Sequence, residues 1–73
     1  MKVGEIMTRG VEIANPDTTV QQAASRMAEL DVGVLPVGKN DCLVGILTDR
    51  DIAIRAVAQG RGPDTKVREA MPS

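Results

Sequence analysis

The run Gly45-Ile46-Leu47-Thr48-Asp49-Arg50-Asp51 concentrates the chemistry of this sequence. An apolar strand-like stretch leads straight into polar residues suited to the first turn of a helix. At such a junction the free backbone N–H groups and the positive end of the helix dipole favour an anion, and phosphate is the natural candidate. Thr48 can offer its hydroxyl to a phosphate oxygen and Arg50 its guanidinium. Asp51, one turn into the helix, can accept hydrogen bonds from two neighbouring sugar hydroxyls. Together these three side chains suit a ribonucleotide. The same residue types also have a plainer use, with Thr48 capping the helix and Asp49 and Asp51 answering its dipole. On residue types alone, both readings stand.

A second constellation, Asp31-Val32-Gly33-Val34-Leu35-Pro36-Val37, runs from a helix end into a strand that carries a proline. Pro36 has no N–H for a ladder, which predicts an edge or a bulge there, with nearby backbone groups free to read the edge of a base. With Val11 and Ile13 of an upstream strand, Val34 and Pro36 would form an aliphatic slot able to sandwich a purine. Ordinary core packing is the plainer reading of each valine taken singly. The sequence has no Phe, Tyr or Trp, so any flat ligand would be held between aliphatic side chains, without the aromatic platform that stacks single-stranded bases.

Other chemistries are disfavoured. There is no His, and Cys42 is the single cysteine, so neither a metal site nor a disulfide is expected, and the thiol should be exposed and ordinary. Without a base beside a nucleophile, the chain does not read as an enzyme. Nine basic residues against ten acidic leave a formal charge of −1, without the basic excess used against nucleic acid. Arg9, Arg55, Arg61, Lys66 and Arg68 are scattered, although Arg55 lies one turn beyond Asp51 and can pair with it. The apolar runs are too short to span a membrane and the N-terminus does not resemble a signal peptide, so a cytoplasmic location is expected.

The elements that must position these groups follow from pattern. Thr19 is a candidate N-cap, with Gln22 completing a capping box, and Val20, Ala23, Ala24, Met27 and Leu30 then fall on one helical face. Pro16-Asp17 marks a turn after an extended segment, Val11 to Ala14. Two strand-like runs, Val34 to Val37 and Leu43 to Thr48, flank the polar loop Gly38 to Cys42, which predicts an antiparallel hairpin. A second helix is expected from about Asp49 to Gln59, with Ile52, Ala53, Ala56 and Val57 inward and Gly60 in the left-handed position after its end. The fold class is therefore α/β, a small β-α-β-β-α unit, followed by a turn-rich linker from Gly60 to Asp64.

At 73 residues this is at most one domain, and a core of this size rarely supplies more than about 3–5 kcal/mol. With no disulfide or metal to add support, pairing with a second copy is the remaining source. Val3, Glu5 and Met7 near the start recur as Val67, Glu69 and Met71, each pair 64 positions apart, as if a second unit opened there. A terminal helical turn with no repeat behind it is the alternative.

Ile6-Met7-Thr8, Pro16-Asp17-Thr18-Thr19-Val20, Ala23-Ala24, Met27, Val32-Gly33-Val34-Leu35-Pro36-Val37 and Leu43-Val44-Gly45-Ile46-Leu47-Thr48-Asp49-Arg50-Asp51 together resemble the cystathionine-β-synthase (CBS) domain. The resemblance runs from end to end. It implies a motif that packs through its sheet against a second one, as a Bateman module, and holds adenosyl ligands between the two: AMP, ADP, ATP, S-adenosylmethionine or NAD. It also implies that Thr48 contacts phosphate and Asp51 ribose, with the base near Val11, Ile13, Val34 and Pro36. Residues 1–64 would be one motif and 65–73 the linker and first turn of another. The partner would be a second motif or a second copy in a homodimer, and the role regulatory. A dimerisation module that binds no nucleotide is the alternative.

Overall fold

The computed structural model describes residues 12–72. Its elements are helix α1 (Val20–Leu30), strands β1 (Val34–Lys39) and β2 (Cys42–Thr48), helix α2 (Asp49–Ile52), which runs on into a π-helical turn (Ala53–Val57), and a closing turn of helix, α3 (Val67–Ala70). The two strands form an antiparallel hairpin. This is a small mixed α/β unit in which helices cover one face of a short sheet.

Helix α1 starts where the sequence signals it. Thr19 Oγ1 accepts from Gln22 N at 3.1 Å and Gln22 Oε1 accepts from Thr19 N at 3.0 Å, satisfying two amides that no helical carbonyl can reach. Upstream, Asn15 Oδ1 accepts from Asp17 N and Asn15 O from Thr18 N, the turn expected at Pro16-Asp17. Of the predicted inward face, Val20, Ala23 and Met27 are buried while Ala24 and Leu30 remain exposed. Asp31 ends the helix with φ 55°, its amide turned back to the Ala28 and Met27 carbonyls.

The hairpin is tighter than the pattern suggested. The strands extend to Lys39 and from Cys42, leaving Asn40-Asp41 as the loop with φ 53° and 61°, the doubly positive geometry of a two-residue turn whose twist matches the strands. Cys42 is exposed, as expected, but opens β2 instead of lying in the loop. Of the expected strand Val11 to Ala14, Ala14 makes a parallel bridge to Val37; Ala14 N donates to Pro36 O at 2.9 Å and Gly38 N to Ala14 O at 2.8 Å. Val11 lies outside the described residues.

Side chains alternate across the hairpin. Leu35, Val37 and Leu47 are 2%, 0% and 0% exposed, whereas Val34, Val44 and Ile46 are 47%, 51% and 52% exposed. The inner face packs on α1, Ala56 and the closing segment. That segment is integral to the fold: Val67 and Ala70 are fully buried, Val20 N donates to Thr65 O, Val67 N to Thr18 O and Arg68 N to Pro16 O, and Arg68 and Lys66 both pair with Asp17. Glu69 accepts from Lys66 N at 3.2 Å and so caps α3. Met71 lies over Gly45, where a Cβ would collide with its Cε.

The second helix departs most from expectation. After one α turn it widens, with Ala58 N donating to Ala53 O, five residues back. Ile52 and Ala56 face inward, but Ala53 and Val57 are exposed; the widened turn shifts the angular position of residues at its far end, Val57 among them. Gly60 takes φ 75° as expected for the residue after a helix end.

Candidate functional site

Thr48 and Asp51 are brought side by side by reciprocal capping. Asp51 N donates to Thr48 Oγ1 at 3.1 Å, and Thr48 N donates to Asp51 Oδ2 at 3.0 Å. The plainer role foreseen for Thr48, a helix cap, is thus the geometry it adopts. Its hydroxyl hydrogen still has freedom to point outward, since only the oxygen is engaged as an acceptor. The Asp51 side chain is 15% exposed and its Oδ1 lies 3.6 Å from Arg55 Nε, the pairing expected from their spacing.

The expected free amides at the start of this helix are not free. Asp49 N donates to Gly33 O at 2.9 Å, Arg50 N to the Asp49 Oδ1 at 2.8 Å, and Asp51 N to Thr48 Oγ1. Local side chains and the β1 entrance have consumed the donors a phosphate would use. An anion here would have to rely on the Thr48 hydroxyl and the exposed Arg50 guanidinium.

The base-side residues lie close in the fold. Val34 pairs with Thr48 and Pro36 with Ile46 across the hairpin, so the four share the outer sheet face. Pro36 O points away from β2 to accept from Ala14 N; both backbone faces of residue 36 therefore lie off the β2 ladder, and proline costs no bond to β2. The expectation of a free backbone edge at Pro36 is corrected on two counts. Its carbonyl is taken by Ala14, and the bulge falls one step later, between Val37 and Gly38. Ile13, half-buried, precedes Ala14 and is thereby held near Pro36. Val34, Pro36 and Thr48 thus share the outer face, Ile13 adjoins it through Ala14 and Asp51 through its bonds to Thr48; the Arg50 side chain is exposed and is not brought onto them by any described contact, and Val11 lies outside the described residues.

A separate groove of about 270 Å³ opens on the helical side, walled by Val20, Ala24, Ile52, Ala56, Val57 and the loop Arg61 to Pro63. None of the predicted site residues reaches it. Sequence reasoning missed it because Ala24 and Val57 were assigned to the core.

Among the described residues, helices cover one face of the two-stranded hairpin and leave the aliphatic side chains of the other about half exposed, with a capped strand-to-helix junction at its edge. The chain belongs to the CBS domain family, whose profile matches residues 3–57. It is 48% identical over 69 residues to the CBS domain-containing protein YhcV of Bacillus subtilis, covering 94% of this chain and 49% of that protein. It also resembles the solved CBS domain protein TA0289 of Thermoplasma acidophilum, with 33% identity, a TM-score of 0.78 and coverage of 97% and 41%. A crystal structure of CBSX2 in complex with AMP shares the fold at 23% identity and a TM-score of 0.69, with coverage of 88% and 52%. The chain spans about half the length of the first of these relatives.

Proposed function

We propose that this chain is one half of a paired regulatory module that senses an adenosyl nucleotide, without catalytic activity of its own. The observation that carries the reading is that Thr48 and Asp51 bond to each other at the edge of an aliphatic sheet face left half-exposed by the described residues, with Val34 directly opposite Thr48. Thr48 and Arg50 would hold phosphate and Asp51 the ribose hydroxyls, with the base between Ile13, Val34, Pro36 and Val11. AMP, ADP, ATP, S-adenosylmethionine and NAD share the parts these residues would contact. The ligand acts by binding two arrangements of the pair unequally, the only way it can shift their balance. The partner is a second motif or a second copy in a homodimer, in the cytoplasm. Curated relatives about twice as long support the second-motif form, in which residues 1–64 are one motif and 65–73 open the next.

One observation favours the alternative, a dimerisation module that binds no nucleotide: Thr48, Asp49 and Asp51 are fully accounted for as helix caps. A thermal melt followed by far-ultraviolet circular dichroism separates the two. AMP, ATP, NAD or S-adenosylmethionine at about a hundred times its dissociation constant should add roughly 2.7 kcal/mol and raise the midpoint by several degrees. The rise should vanish in Asp51→Asn, which retains an acceptor for Thr48 N but loses one of the two carboxylate acceptors. No rise with any ligand, in a chain that still self-associates, would leave the dimerisation reading standing.

A further inference from the structure

The two ends of the sequence carry one hexapeptide pattern, and the packing of the closing copy gives its residues their uses. Residues 66–71 read Lys-Val-Arg-Glu-Ala-Met, and residues 2–7, which lie outside the described residues, read Lys-Val-Gly-Glu-Ile-Met. The four shared residue types are the ones that seat the closing segment. The Lys66 amide donates to Glu69 Oε2 at 3.2 Å and its ammonium lies 3.7 Å from Asp17 Oδ1. Val67 is wholly buried, and the Met71 methyl covers Gly45. The two that differ tie the segment to this particular slot. Arg68 pairs with Asp17, which a glycine cannot do. Ala70 has no exposure, so the larger Ile6 in its place would overpack a closed core. The opening hexapeptide therefore has the residues of a plug and lacks the fit to the slot described here, which its counterpart already fills.

We propose that residues 2–7 are the plug of the partner motif, a second unit of the same fold with room for isoleucine where Ala70 sits here. The inference rests on the paired reading above and deepens it. Residues 66–71 close this unit and residues 2–7 close the other, so each unit is completed by the segment that opens its neighbour. A second copy of this chain is the poorer partner for this contact, because its slot is the one that Ile6 does not fit. Val3 then contributes to the core of the partner and not to the stability of the unit it opens.

Arg68→Gly with Ala70→Ile turns the closing segment of the full chain into a copy of the opening one, and a far-ultraviolet circular dichroism melt reads how well it plugs this slot. The melt should stay cooperative, since the seating residues remain, with a midpoint lower by about 5–15 °C. Aspartate at the matched valines separates the two ends. In dilute solution Val67→Asp should leave the chain unfolded, because it puts a carboxylate in the core, and Val3→Asp should leave the midpoint unmoved. In trans, a peptide of residues 65–73 should restore helical signal to the Val67→Asp chain. A peptide of residues 1–9 should need roughly tenfold more, and Gly4→Arg with Ile6→Ala in that peptide should close the gap. Loss of cooperative folding in Arg68→Gly/Ala70→Ile, with a 1–9 peptide no better than its scrambled sequence, would mean that the opening segment is no plug. A midpoint lowered by Val3→Asp would seat it in its own unit, and a midpoint unmoved in Arg68→Gly/Ala70→Ile would make a second copy the partner. Each of these overturns the inference and leaves the nucleotide reading intact, which ligand-dependent melting decides separately.

Discussion

The two faces of the hairpin are built from the same kinds of residue and meet opposite fates. Leu35, Val37 and Leu47 vanish beneath the helices, while Val34, Val44 and Ile46, their neighbours in the chain, stand about half exposed. A half-wet sheet normally alternates apolar with polar residues, and a near-continuous aliphatic run is the mark of strands buried on both sides. Composition therefore treats the outer face as interior, although nothing within this chain's described residues covers it. The inner face makes the fold, whereas the outer face is the surface to which the proposed partner is assigned.

That contrast can be broken most severely from the inside. Leu47→Ala should cost about 3 kcal/mol or more, comparable to everything a core of this size supplies, and circular dichroism should show a chain largely unfolded at room temperature. Gly45→Val tests the same face by crowding. It forces Met71 off the sheet and should cost about 1–3 kcal/mol. Combining it with Met71→Ala should cost less than the sum of the two single changes, because the residues share one contact. Additive losses in chemical denaturation would show that Met71 is not what Gly45 accommodates.

On the outer face the expectation reverses. Ile46→Lys should change the melting midpoint of the dilute chain little, since surface substitutions usually stay within about 0.5 kcal/mol. It should, however, abolish self-association in sedimentation, where the unaltered chain should run as a dimer. Persistence of the dimer in the Ile46→Lys variant would move the interface elsewhere, with the groove beside Val57 as the next place to look. The smallest effect belongs to the turn joining the two strands. Asp41 sits at φ 61°, and Asp41→Gly would complete the Asn-Gly pair that such turns favour. A gain of roughly 0.5 kcal/mol is expected from relief of the left-handed backbone, net of glycine's entropy. A loss in the denaturation midpoint would mean that the Asp41 side chain contributes more than its backbone strain.

Much of this was legible in the sequence where the determinants are local. The capping box at Thr19 and the cap at Thr48 follow from local residue types, although the reciprocal bond from Thr48 N to Asp51 was not foreseen, and the left-handed Gly60 follows from its place after a helix. The hairpin follows from two strand-like runs flanking a polar loop. What escaped is set by geometry that spacing does not encode. Assigning Val57 to the core assumed a constant 3.6 residues per turn, which the π turn breaks. The amides of α2 were read as free because no rule of spacing says that Asp49 will turn back on Arg50 N, or that Gly33 O, 16 residues upstream, will take Asp49 N. The seating of the closing segment depends on Arg68 reaching Asp17 across 51 residues, a contact visible only in three dimensions. The same echo that suggested a second unit gave no hint that Val67 and Ala70 are buried in the core of this one.

That packing has an architectural consequence for any longer chain built from this pattern. In such a chain the stretch that echoes the opening residues would also be the stretch that plugs the unit before it, so the period of the text and the period of the solid would be out of phase. Two such units in series would share a strip of polypeptide, and a joint cut cleanly at the repeat would leave the first half uncorked. Recombination or engineering that respects the three-dimensional seam would have to cut after Met71, and swapping one unit for a relative's would carry the opening phrase of the next along with it.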